Sequence, residues 1–105
     1  MLYSATRLDD VKRLIKKSSR VVLCFIGLWC PQCVYMEKAI EELSRRHKEI
    51  TFVNIYVGRD EELIRRFQVY EIPKVMLLDK ERIVDCIIGG IKAEDLEKWL
   101  LSRLS

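Results

Sequence analysis

Apolar residues recur along this chain with two periods, and their alternation marks out the elements. Leu8, Val11, Leu14 and Ile15 follow the spacing of one helix face, so a helix is predicted to run to about Lys17. Thr6 stands where it can cap that helix, with Asp9 three residues on. Leu2-Tyr3-Ser4 reads as a short edge strand, and Ser18-Ser19-Arg20 as a linker. Val21 to Ile26 is apolar at every position, which predicts a strand covered on both faces. After Gly27-Leu28-Trp29 the helical period returns. From Pro31 to near Lys48, Met36, Ala39, Ile40 and Leu43 share one face, while Glu37, Lys38, Glu41, Glu42 and Arg45 fill the rest.

Thr51 to Val57 is the next strand. Asp60 then caps a short helix with Leu63, Ile64 and Phe67 on its inner face. Its acidic first turn (Glu61, Glu62) and basic last turn (Arg65, Arg66) match the helix dipole. Lys74 to Leu78 and Arg82 to Ile88 flank a three-residue gap and form an antiparallel hairpin. Gly89-Gly90 breaks the pattern, and Leu96, Trp99, Leu100 and Leu104 line a closing helix. Strand, helix, strand at this length is a right-handed crossover with parallel strands. The predicted fold is α/β, in one domain over 1–105. Its mixed sheet is parallel in its first part and antiparallel in its C-terminal hairpin, with helices on both faces.

Composition narrows the class. The 105 residues suffice for one core, and no apolar run approaches the roughly 20 residues of a membrane span. Nineteen Lys and Arg against sixteen Asp and Glu leave a charge of +3. The basic clusters, such as Lys12-Arg13 and Arg45-Arg46-His47-Lys48, fall at predicted helix ends, where cations complement the dipole. They are read as solvated helix faces rather than as a nucleic-acid surface. The first seven residues lack the apolar stretch of a signal peptide. Four cysteines without one point to a reducing compartment, taken as the cytoplasm; the chain is expected to be a monomer.

The chemistry concentrates in Trp29-Cys30-Pro31-Gln32-Cys33. Two thiols two residues apart at a helix start can close a small disulfide and reopen it. The free N–H groups and positive dipole end at that start favour a thiolate, lowering its pKa below the free value of about 8.5. Pro31 suits the first helical position, where its missing N–H costs nothing. Cys30, at the exposed start, is therefore read as the nucleophile, and Cys33, one turn in, as the resolving thiol. Zinc is the competing use of such a pair, but it commonly takes four ligands. There is no second CxxC, and the single histidine, His47, lies fourteen residues beyond Cys33. A purely structural bridge over so short a loop would constrain little of the unfolded chain.

With these features placed, the chain resembles the thioredoxin family over nearly its whole length. Four features carry the resemblance. Trp29 precedes the first cysteine of CxxC, and the motif lies between an apolar strand and a long helix. Ile72-Pro73 opens the hairpin where the family has a cis-proline, and Gly89 follows sixteen residues after Pro73. The resemblance implies that Ile72-Pro73 is cis and lies beside the CxxC, its backbone pairing with the substrate chain. Residues alone would allow an ordinary trans turn. It also implies a substrate rim of Trp29, Pro31, Ile72, Pro73 and Gly89-Gly90; core packing is the plainer alternative for Trp29.

Departures from the family pattern are equally informative. The usual motif is WCGPC, whereas this chain has WCPQC. A proline directly after the first cysteine resembles glutaredoxins and oxidising relatives, and this dipeptide tunes potentials from about −270 to −120 mV. Cys24 occupies the place of a buried aspartate that helps deprotonate the resolving thiol, and Asn54 falls where its lysine partner stands. A buried thiol is a poor base near neutral pH, so Cys24 is either a small core residue or a third exchanging thiol. Lys38 replaces the family's helix-kinking proline, and Lys74 follows the cis-proline in place of the usual threonine. Lys74 would lower thiolate pKa values or select an acidic partner, or else point to solvent from its strand. Cys86 is expected to pack in the core.

The resulting expectation is a thiol-disulfide oxidoreductase, a protein-disulfide reductase that needs no cofactor or metal. Its partners are disulfide-containing proteins and a thioredoxin-reductase-like or other dithiol donor, with no nucleic acid or membrane. Two alternatives stand beside it. One is a glutathione-dependent oxidoreductase; the other is a non-catalytic peptide-binding or redox-sensing module on the same fold.

Overall fold

The computed structural model describes residues 1–58 and 60–104. In chain order the elements are β1 (Leu2–Ala5), α1 (Leu8–Lys17), β2 (Arg20–Ile26), α2 (Pro31–Arg46), β3 (Thr51–Tyr56), α3 (Glu61–Phe67), β4 (Lys74–Asp79), β5 (Arg82–Ile88) and α4 (Ala93–Leu104). They form a sheet of order β1-β3-β2-β4-β5. The pairs β1–β3 and β3–β2 are parallel, and β2–β4 and β4–β5 antiparallel. This is the mixed sheet that the hydrophobic pattern predicts.

The all-apolar strand is the middle one. Val21 to Ile26 are all buried, because both faces of β2 are covered. Its side chains alternate between two cores. Val21, Leu23 and Phe25 pack with Val11, Ile15, Leu63 and Phe67 of α1 and α3. Val22, Cys24 and Ile26 pack with Met36, Ile40, Leu43, Leu96 and Leu100 of α2 and α4. Burying one such large side chain contributes about 1.5–3 kcal/mol, so each helix is held by its apolar stripe. The α2 stripe is the one read from the sequence.

Besides shifts of one or two residues at the ends of α2 and β3, local expectations differ at three places. Arg20 begins β2 instead of ending a linker. Thr6 does not cap α1: Arg7 holds the N-cap position without a side-chain bond, and Leu8 N–H donates to Asp60 Oδ2 at 2.8 Å. Asp60 also caps its own helix, its Oδ1 accepting Leu63 N–H at 3.2 Å. Finally, β4 extends to Asp79, so the hairpin loop is the two residues Lys80-Glu81, both left-handed at φ 51° and 68°. That geometry matches the twist of the flanking strands.

The basic helix ends are engaged locally. Arg13 pairs with Asp10, Arg65 with Glu61, and Arg46 with Glu42 and Glu97. His47 Nε2 and Glu97 Oε2 share a hydrogen bond of 2.6 Å, which fastens the C-terminal end of α2 to α4. Among the described residues no helix is long and apolar enough to cross a membrane.

Candidate functional site

The CxxC lies where β2 delivers the chain to α2. Cys30 is the N-cap of α2 with extended backbone, and Pro31 opens the helix. Cys30 and Cys33 form a disulfide, their Cα atoms 5.1 Å apart. Cys30 Sγ accepts the Cys33 N–H at 3.2 Å, and Cys30 O accepts the N–H groups of Cys33 and Val34. Once the bridge is reduced, that donor and the helix dipole favour a thiolate at Cys30. Cys33 is only 1% exposed, whereas Cys30 is half-buried.

Three loops converge on this helix start. Trp29, left-handed at φ 58°, is 99% exposed, which removes the core-packing alternative for it. Leu28 beside it is also largely exposed, a feature the sequence reading passed over. The Ile72-Pro73 peptide is cis, with Pro73 buried and Ile72 half-buried between the two cores. Ile72 closes on the loop entering the CxxC so tightly that a Cβ at Gly27 would lie 2.9 Å from Ile72 Cδ1. Gly89, at φ 105°, donates its N–H to Pro73 O at 2.9 Å. A Cβ on Gly90 would meet Gln32 and Tyr35 of α2 at 3.4–3.5 Å. Gly89-Gly90 therefore ties the Pro73 segment to the first turns of α2.

Beneath the CxxC the polar groups are unusual. Cys24 is fully buried in the core that holds Cys33, and burial, reinforced by the Glu37 carboxylate, pushes its thiol up to about 12. Asn54 lies opposite Cys24 in the β2–β3 register and is 4% exposed; its Oδ1 has no hydrogen-bond donor among the described residues. Glu37, expected on the polar face of α2, is half-buried, and Tyr56 Oη donates to its Oε2 at 2.7 Å. That bond leads the causes that push the Tyr56 phenol up to about 12. Glu37 follows Cys33 by four residues, a spacing that was available in the sequence as a signal.

Lys74 is corrected on both of its readings. It does not point to solvent: it is 9% exposed, and its Nζ donates to Phe67 O and Gln68 O, each at 3.0 Å. Nor does it share the face of the resolving thiol, because Lys74 pairs with Phe25 in the β2–β4 register and so lies on the α1–α3 face, opposite Cys33. Cys86, on β5, is half-buried against the α1–α3 core. Burial raises its pKa, and the Lys74 charge opposes that shift.

This constellation of CxxC at a helix start, cis-proline and glycine agrees with the family comparison. The thioredoxin family model matches residues 5–102. The chain belongs to the thioredoxin family. It is 26% identical to a thioredoxin of Mycoplasmoides gallisepticum over 95 residues, covering 90% of this chain and 95% of that one. It is 28% identical to a thioredoxin H-type of Brassica campestris, over 90% of this chain and 76% of that one. Among solved structures, a thioredoxin of Halobacterium salinarum superposes with a TM-score of 0.89 at 17% identity, covering 99% and 91% of the two chains. Oxidised mitochondrial thioredoxin 3 of Saccharomyces cerevisiae gives 0.85 at 24% identity, covering 96% and 94%. This thioredoxin-family chain is a protein-disulfide oxidoreductase, and the matches favour neither the glutathione-dependent reading nor the non-catalytic one.

Proposed function

We propose that the chain works as a protein-disulfide reductase in which Cys30 attacks and Cys33 resolves. The Cys30 thiolate attacks one sulfur of a substrate disulfide and displaces the other as a thiolate. Cys33 then attacks Cys30, closes the protein's own disulfide and releases the substrate reduced. A dithiol donor or a reductase returns two electrons to the pair. The observation that carries the assignment is the Cys33 N–H donated to Cys30 Sγ at the start of α2, with Cys33 itself closed off from solvent.

The cis Ile72-Pro73 peptide and Gly89 are the backbone that a substrate strand would lie against, with Trp29 and Pro31 at its edge. In this reading Cys24 is a core residue, since it is fully buried and burial disfavours its thiolate. The setting that suits this cycle is a reducing compartment such as the cytoplasm. Cys30→Ser is expected to abolish insulin reduction, and Cys33→Ser to trap mixed disulfides at Cys30. In the reduced protein, iodoacetamide should label Cys30 first. Labelling of Cys33 or Cys86 ahead of Cys30 would refute the assignment.

A further inference from the structure

Resolution poses a proton problem. Cys33 must lose its proton before it can attack, yet it is 1% exposed and reaches little solvent. Among the described residues, four titratable groups and one amide are candidates. Cys24, from β2, shares its core. Tyr56 stands at the end of β3, and Glu37 and Glu41 follow on α2 itself. Asn54 is neutral. Cys24 and Tyr56 both keep their protons at neutral pH, their pKa values pushed to about 12.

Glu37 differs from them in charge and in placement. It follows Cys33 by four residues on one helix, which sets their Cβ atoms about 5–6 Å apart on the same side. Its carboxylate is half-buried and held against the end of β3 by the Tyr56 hydroxyl at 2.7 Å. Tyr56 pairs with Ile26, the last residue of β2 before the loop to the CxxC, so this anchor fixes the carboxylate at the same end of the sheet. The Glu37 charge also acts on Cys24, which shares the core of Cys33.

We infer that Glu37, held by Tyr56, accepts the proton of Cys33 during resolution of the mixed disulfide. This rests on the assignment of Cys33 as the resolving thiol. The Cys33 S–H bond breaks and its proton passes to a Glu37 carboxylate oxygen. The sulfur's electron pair forms the Cys33–Cys30 bond, and the bond from Cys30 to the substrate sulfur breaks. The substrate leaves as a thiolate, which takes up the proton from the Glu37 carboxyl. The oxidant is the substrate disulfide alone.

The test uses the reduced full chain and 5,5′-dithiobis(2-nitrobenzoate), which releases one thionitrobenzoate on Cys30 attack and a second on closure by Cys33. Glu37→Gln, which keeps the shape and an acceptor for Tyr56, is expected to slow the second phase at pH 7 by roughly tenfold or more. The first phase and the iodoacetamide rate of Cys30 should stay within about twofold. The deficit should shrink as pH rises and Cys33 ionises unaided, and Glu37→Asp should recover part of the rate. A second phase within about twofold of the parent at pH 7, with an unshifted pH profile, would overturn the inference and leave the thiol roles standing. An equal loss in both phases would also overturn it, as a structural effect of the substitution. If no second thionitrobenzoate is released by the parent, the role of Cys33 fails, and that of Glu37 with it.

Discussion

Cys24 shows how one residue can set a pH limit on the whole fold. Its thiol is buried in the middle strand, and that burial raises it from an ordinary 9.0 to about 12. The unfolded chain would ionise this thiol from about pH 9, whereas the folded chain keeps it protonated. The folded state therefore binds more protons between pH 9 and 12, and stability falls as pH rises through that window. The slope attributable to one such group is at most about 1.4 kcal/mol per pH unit. Urea unfolding at pH 8 and pH 10.5 should show the parent losing about 2 kcal/mol more than Cys24→Ala over that interval. Tyrosines and lysines titrate in both proteins and cancel from the comparison. Equal pH slopes would show that Cys24 ionises freely in the folded chain. The same burial is why Cys24 cannot replace a carboxylate as a base, a point already legible in the sequence. For Glu37 the sequence carried the four-residue spacing from Cys33 but not the partner: on a helical wheel it belongs with Lys38 and Glu41, and the Tyr56 hydroxyl that holds it comes from β3.

At the level of elements, periodicity located every helix and strand, because each apolar stripe is long enough to need a core. The ends were harder, since caps are often set by distant residues. Thr6 has the right chemistry for α1, yet the acceptor at Leu8 comes from Asp60, fifty-two residues away. Lys74 likewise reads as a strand residue facing solvent until the left-handed end of α3 brings the carbonyls of Phe67 and Gln68 to its ammonium. Asp60 thus couples two helix starts through one carboxylate. Its pKa is lowered, first by the Leu8 N–H and further by those of Leu63 and Glu62. A carboxyl depressed in the folded state adds stability above its unfolded pKa, near 3.8, and loses that contribution as pH falls through the lower folded value. Asp60→Ala should therefore lower the thermal midpoint at pH 7. The gap to the parent should narrow steadily once the pH drops below about 4. A gap that stays constant down to pH 2 would mean that the charge of Asp60 contributes nothing beyond its shape.

For the molecule as a whole, the sheet separates two tasks. The α1–α3 face is closed by apolar packing, the Asp60 caps and Lys74, and meets the CxxC side of the sheet through Ile72, which packs against both cores. The α2–α4 face buries Cys33 while α2 presents Cys30 at its start, and His47 and Arg46 fasten the far end of α2 to Glu97. The Cys30 sulfur is thus mounted on a helix supported along its length. The fully exposed side chain of Trp29 stands beside it, with Leu28 next to it. Aromatic side chains left in water beside a reactive group stabilise nothing within the fold; their apolar area is available to a partner. Trp29→Ser should accordingly leave the urea midpoint unchanged. If Trp29 is covered in the encounter, the substitution should lower kcat/KM for insulin by about tenfold, the effect of about 1.4 kcal/mol at a buried aromatic contact. The rate with a small disulfide such as oxidised glutathione, too small to span the rim, should change by less than about twofold. Equal losses for the two substrates would place Trp29 in the chemistry at Cys30. No loss for either would leave the indole outside the contact surface altogether.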